Sequence, residues 1–244
     1  MPTLHLMSDV HFEFHRDGGA SFVDGLDPAG ADVLVLAGDV GVVPRCLPAL
    51  ERLVDRYPQV VMVCGNHEFY GTSREDVYGA LAELEARRPT FRVLEDRVVE
   101  VAGARFVGST LWFADAPGND VFARALTDFR VIPRFVDWVY DVNARSAAFL
   151  ERTVRAGDVV ITHHIPDRRG VHPRWSGPTT SELNRFFLCQ LPEELLGRAA
   201  CWVFGHTHDA AGFRIGACDF HCNPLGYLGH EVTGEGYRPA VLRV

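Results

Sequence analysis

Five apolar runs of strand length each stop at a short polar group, and this repeated arrangement constrains the chain more than any other feature. Leu4 to Met7 leads to Asp9 and His11, Val33 to Ala37 leads to Asp39, and Val60 to Cys64 leads to Asn66 and His67. Val159 to Thr162 runs directly into His163 and His164, and Cys201 to Phe204 precedes His206 and His208. In an α/β sheet, ligands gather at the carboxyl ends of strands, where the loops converge. Carboxylate oxygens, an amide carbonyl and imidazole nitrogens together suit borderline divalent metals such as manganese, iron, zinc or nickel. The five groups therefore read as one dinuclear metal site built on strand ends.

Longer amphipathic stretches separate the apolar runs. Leu47 to Tyr57 and Arg74 to Arg88 have helical spacing, which makes the opening β, β, α, β, α. A run that is apolar throughout, such as Val33 to Ala37, belongs to a strand covered on both faces. Phe91 to Leu94, Val98 to Val101 and Arg105 to Ser109 are closely spaced strand candidates, with Gly103 turning the last two, and these are expected to pair antiparallel. Phe122 to Phe129 and Val142 to Arg155 are expected as helices, and strands resume at Phe213 to Ile215, Asp219 to Cys222 and Ala240 to Val244. The turn-rich segments Asp115 to Gly118 and Asp167 to Pro178 are expected to be loops over the site.

Composition narrows the function classes. A chain of 244 residues, 47% hydrophobic, can bury a large core, and 1–244 reads as a single domain. The formal charge of −8 disfavours sequence-blind binding to long DNA or RNA, which relies on many cationic phosphate contacts. The six cysteines show no C-x-x-C spacing, so disulfides are not expected. No apolar run approaches the roughly 20 residues that cross a bilayer, and the first eight residues lack a signal-peptide pattern. A soluble cytoplasmic protein is expected, not a membrane one; the oligomeric state is not encoded in any feature of the sequence.

The groups Asp9-Val10-His11, Gly38-Asp39, Gly65-Asn66-His67-Glu68, His163 and Gly205-His206-Thr207-His208 closely resemble, in order and spacing, the signature of calcineurin-like metallophosphoesterases, in particular small bacterial members. That resemblance implies an α/β four-layer α/β/β/α sandwich with two mixed sheets. It also implies two divalent ions, one on Asp9, His11, Asp39 and His208 and the other on Asp39, Asn66, His163 and His206, with Asp39 shared. The implied chemistry is phosphoester hydrolysis by a hydroxide bridging the ions, with His67 as the catalytic histidine. Many relatives carry a second acid three residues after the shared Asp, where this chain has Val42.

Other candidates are weighed against plainer roles. His164 follows a ligand on extended chain and should point away from it, as a packing or substrate-side residue. Glu68 reads as a local hydrogen-bonding group, and His221 ends a strand before Asn223, close in sequence to the site but outside the ligand pattern. Arg130, Arg134, Arg168, Arg169 and Arg174 offer guanidinium forks for phosphate, with Arg130 and Arg174 carried forward as substrate-binding candidates together with His164 and Tyr70. Phe69, Tyr70, Trp112, Trp138 and Trp175 offer faces on which a base can stack. The reading favoured is a phosphodiesterase for a small or nucleotide-like phosphoester. A phosphomonoesterase or protein phosphatase, and a non-catalytic scaffold stabilised by metal, stand as alternatives.

Overall fold

The computed structural model describes residues 1–177, 180–232 and 234–244. Two sheets face one another. The first contains β1 (Thr3–Met7), β2 (Val33–Ala37), β3 (Val60–Val63), β4 (Phe91–Val93) and β11 (Ala240–Arg243), in the order β11-β1-β2-β3-β4. The second contains β5 (Arg97–Val101), β6 (Ala104–Ser109), β7 (Val159–Thr162), β8 (Cys201–Val203), β9 (Ala211–Ile215) and β10 (Cys218–Cys222), in the order β5-β6-β7-β8-β10-β9. β1 through β4 are parallel neighbours, as are β6, β7, β8 and β10; β11, β5 and β9 run antiparallel at edges.

Period-two alternation inside fully apolar strands explains the layering. Val33, Val35 and Ala37 of β2 join Val61 and Val63 of β3 in the core between the sheets, where they meet Phe106, Val159, Ile161, Cys201 and Val203. The intervening Leu34, Leu36, Val60 and Met62 point the other way, into a core shared with Leu50, Leu53 and Val54 of the helix Leu47–Arg56 and with Val77, Leu81 and Leu84 of the helix Arg74–Arg87. On the outer face of the second sheet, Val107, Val160, Trp202 and Phe220 pack with Leu150 of the helix Val139–Thr153. Because each strand is apolar on both faces, each sheet can be covered twice, and the result is an α/β/β/α sandwich.

Three expectations require correction. β4 leaves the antiparallel group: its partner is β3, in parallel, and only β5 and β6 form a hairpin. The sequence between residues 89 and 109 spans both sheets, which strand periodicity cannot reveal. The stretch Phe122 to Phe129 is not one helix but short pieces at Asn119–Phe122, Ala123–Ala125 and Asp128–Val131. The third concerns the loops, since Asp115 to Gly118 line a separate surface depression with Val136 and Tyr140. The segment 167–177 does reach the site; its expected last residue, Pro178, lies outside the described residues. All six cysteines are free and buried. Among the described residues, no helix is long and apolar enough to cross a membrane.

Trp202 is fully buried, stacks on Phe220 with centroids 5.7 Å apart and rings within 10° of parallel, and donates its indole N–H to Thr162 Oγ1 at 3.1 Å. Trp202→Ala should cost roughly 3–5 kcal/mol of stability, read as a lower midpoint of urea unfolding.

Candidate metal centre

The carboxyl ends of β1, β2, β3, β7 and β8 lie side by side, and the five polar groups meet there. Their side chains are buried, Asp9, His11, His163 and His164 fully so, except that His208 is half-buried. The backbone at this rim is unusual. Asp9, His11, Asp39, His206 and His208 all have positive φ, between 48° and 68°, a region that non-glycine residues rarely occupy. Such strain persists only where surrounding bonds enforce it, and it concentrates at functional sites. Gly38, at φ 86°, could not carry a side chain, because a Cβ there would run into the His163 ring.

Glu68 supplies much of the enforcement. Its buried carboxylate accepts backbone N–H bonds from Asp39 (3.2 Å), Val40 (2.7 Å), Gly41 (3.4 Å) and Gly65 (2.7 Å). One side chain thus ties the loop after β2 to the loop after β3. Burial raises its pKa to about 7. Across the other loops, Asp9 Oδ1 accepts from the backbone N–H of His206 at 2.9 Å, and Asp39 Oδ1 accepts from that of His67 at 2.9 Å.

With the loops fixed, the orientation of each imidazole can be deduced from its acceptor. His163 donates Nδ1–H to the Ala37 carbonyl (2.9 Å), His208 donates to Glu231 (2.7 Å), and His11 donates to Glu13 (3.3 Å). In each ring the Nε2 lone pair is left facing inward. His11 Nε2 and His208 Nε2 then face each other at 3.0 Å, and His163 Nε2 lies 3.1 Å from His206 Nδ1 and 3.2 Å from Asn66 Oδ1. Asn66 turns this oxygen inward because its amide N–H bonds go to Asp128 (2.9 Å) and the Tyr70 hydroxyl (3.1 Å). Asp39 Oδ2 sits centrally, 3.6 Å from His11 Nε2 and 3.5 Å from His163 Nε2.

Ligand atoms of Asp9, His11, Asp39 and His208 fall within 4.8 Å of one another, as do those of Asp39, His163 and His206. Asp9 Oδ2 and His206 Nε2 are buried without a hydrogen-bond partner. Converging lone pairs without donors between them repel, and a cation would relieve that repulsion. The electrostatics agree. Burial, then the nearby carboxylates of Glu68 and Asp9, holds the Asp39 pKa well above the usual carboxylate range. Burial also lowers His11 and His163 to about 4 and pushes His206 well below the usual imidazole value, so these rings are neutral and offer lone pairs at ordinary pH, whereas at His208 burial is outweighed by the Glu231 hydrogen bond and Asp9, which raise its pKa. The residues therefore fit divalent metal, and Asp39 belongs to both groups of potential ligands.

The sequence profile of the calcineurin-like phosphoesterases matches residues 2–210. The chain belongs to that family. As a calcineurin-like phosphoesterase it is a metal-dependent hydrolase of phosphoesters. It is 23% identical to an uncharacterised protein of Acanthamoeba polyphaga mimivirus, L509, over 262 residues covering 95% of this chain and 93% of that protein. Among solved structures its fold is similar to that of phosphopantetheinyl hydrolase from Mycobacterium tuberculosis, at TM-score 0.70 and 21% identity, covering 93% of this chain and 90% of the other. The protein TT1561 of Thermus thermophilus is also similar, at TM-score 0.56 and 12% identity, covering 91% and 89%.

Other candidates of this phosphoesterase separate clearly. His67 and Tyr70 line the cleft above the ligands and stack, with centroids 4.1 Å apart. His164 does not line it: buried behind His206 (4.4 Å between centroids) and against Trp112, it packs rather than meets substrate. Arg130 bonds Thr127, and Arg174 is paired with Asp209 at 2.9 Å and lies over the Trp175 ring, so neither lines the cleft. Phe69 and Trp112 are core residues, whereas Trp175 does line the cleft.

Sequence reasoning missed Glu13, Asp128, Glu231 and the part played by Tyr227. Glu13 Oε1 accepts from His67 Nδ1 at 2.7 Å as well as from His11, and Tyr227 places its hydroxyl 3.2 Å from His67 Nε2. Burial alone would raise the Glu13 pKa, but the two histidine hydrogen bonds hold it well below the usual range. The spacing Asp9-x-His11-x-Glu13, an acid two residues beyond a ligand, was the available signal.

Glu68→Gln would exchange one accepting oxygen for an amide group that confronts backbone donors. At about 1–3 kcal/mol per buried donor left unpaired, urea unfolding should show a loss of roughly 3 kcal/mol, and amide exchange at Val40 and Gly65 should quicken.

Proposed function

We propose that residues 1–244 form one phosphoesterase domain that hydrolyses a small phosphodiester with the help of two divalent ions, drawn from manganese, iron, zinc or nickel. Asp9, His11, Asp39 and His208 would hold one ion, and Asp39, Asn66, His163 and His206 the other. The observation that carries this reading is the facing pair of imidazole lone pairs, His11 Nε2 and His208 Nε2, 3.0 Å apart beside the central Asp39 oxygen. When bound, the ions supply the Lewis acidity that acidifies water and clamps phosphoryl oxygens during in-line displacement.

The chain's own residues supply the rest. His67 lies at the cleft beside Asn66 without belonging to either proposed ligand set. Glu13 holds its Nδ1–H and the Tyr70 ring lies flat against it, so the imidazole is fixed with Nε2 toward the cleft. Nε2 is the nitrogen that would deliver a proton to the departing alkoxide. Tyr227, within 3.2 Å of that nitrogen, would orient the same oxygen. Asp128 holds Asn66 and Tyr70 together through one oxygen, at 2.9 and 2.6 Å. Six buried free cysteines fit a reducing compartment, the cytoplasm.

Metal analysis and steady-state kinetics on bis(4-nitrophenyl) phosphate test the division of roles. Asp39→Asn should lose both bound metal and turnover. His67→Gln should keep two ions per chain while kcat falls by roughly 10²–10⁴; metal loss equal to that of Asp39→Asn would refute separate roles. Glu13→Gln, which loosens both His11 and His67, should at saturating metal lower kcat by on the order of 10–100-fold, with KM little changed. A metal-loaded wild type inert toward aryl diesters and monoesters alike would favour a scaffold.

A further inference from the structure

The cleft above the proposed metal ligands has a volume of about 300 Å³, at the small end for a ligand pocket. Its walls carry information that the reaction class does not. Part of the lining is apolar, contributed by Leu126, Ile165, Val171, Leu183 and Phe187. It begins at the ligands themselves, because the Phe187 ring stacks on His206 with centroids 4.5 Å apart and 28° between planes.

The charged side chains lining the cleft are equally informative. Apart from histidines they are all acids: Asp39, Asp128 and Glu231. The chain has 24 basic residues, every one an arginine, yet among the described residues none lines this cleft. Arg174, beside the cleft residue Trp175, already serves Asp209, and Arg130 bonds Thr127. Recognition of a second phosphate or a carboxylate in a half-enclosed site calls for a guanidinium or ammonium group. Here a second phosphate would meet Asp128 and Glu231 instead.

We infer that the substrate is a phosphodiester with a single negative charge, one arm of which is an uncharged, mainly apolar chain lying along Leu126, Ile165, Val171, Leu183 and Phe187. Compounds bearing a second phosphate are excluded by the acids Asp128 and Glu231 of the same lining. This rests on the phosphodiesterase reading above and goes beyond it by specifying the arm. In hydrolysis, water oxygen bonds to phosphorus, the bond to the leaving oxygen breaks, and the arm stays on the phosphate product; the arm therefore acts through binding alone.

The test uses the whole 244-residue chain loaded with manganese, and four 4-nitrophenyl phosphodiesters whose second arm is methyl, hexyl, 2-phosphoethyl or 5′-thymidyl. All release 4-nitrophenolate, so differences report the arm. Each fully buried methylene is worth about fourfold in affinity, and even partial burial should lower KM for the hexyl ester at least about tenfold relative to methyl. The phosphoethyl ester should be the poorest of the four. Calorimetric titration with methylphosphonate and hexylphosphonate, which have no ester bond to break, should show the same preference without turnover. Leu126→Arg and Leu183→Arg should each reduce the hexyl preference and raise kcat/KM for the phosphoethyl ester relative to methyl. Hydrolysis of the methyl ester with no hexyl preference, or with the phosphoethyl or thymidyl ester preferred, overturns this inference and leaves the phosphodiesterase reading standing. Inertness toward all four overturns both.

Discussion

The centre of this protein depends on a concentration of inward-facing lone pairs that, among the described residues, no arginine neutralises. Asp9, Asp39, Glu68 and Glu13 crowd together with His11, His163, His206 and His208, all buried or nearly so. A buried carboxylate without a partner is expensive, and here burial and mutual repulsion hold the Asp39 pKa high. The balance changes when divalent ions occupy the same space. What is electrostatic frustration in the protein alone becomes affinity for metal, and the strained backbone at Asp9, His11, Asp39, His206 and His208 is the mechanical counterpart.

That frustration has to be contained, and the sandwich contains it. Parallel strands of both sheets end at one rim, and the two inner faces lock together through Val35, Val61, Phe106, Ile161 and Val203. Loops leaving such a rim start from fixed points, so a few hydrogen bonds suffice to set their course. Glu68 accepts four of them, and the backbone N–H of His206 donates to Asp9 across the gap between the sheets. A ring of acceptors outside the ligands then selects tautomers: Ala37 for His163, Glu231 for His208 and Glu13 for His11 and His67. The shared use of Glu13 couples a proposed metal ligand to the proposed proton donor through one carboxylate.

The same lack of cations extends outward into the cleft. With no arginine on its walls among the described residues and Phe187 stacked against His206, the space next to the ligands is suited to uncharged, apolar groups. On the proposed reading, reaction chemistry and selectivity would come from one electrostatic arrangement, with positive charge left to the ions and none supplied by the walls.

Much of this was legible in the sequence, because strand ends and metal-ligating residue types are local patterns. The proposed functional positions Asp9, His11, Asp39, Asn66, His67, His163, His206 and His208 each follow an apolar run, and that adjacency survives folding. The departure of β4 from the antiparallel group was not legible, since pairing depends on which sheet edge is open rather than on the strand's own residues. Nor were the roles of Glu13, Asp128 and Glu231, whose partners lie 54, 62 and 23 positions away in the chain. Arg130 and Arg174 looked suitable by residue type, but direction and pairing removed them from the cleft. By itself the sequence determined the succession of the main strands, the places of the proposed ligands at their ends and the family, because these are written in periodicity and short spacings. Only the tertiary structure decided which nitrogen of each histidine faces inward, which acids hold them there and which walls meet the substrate, because hydrogen-bond direction and burial arise from contacts between distant segments.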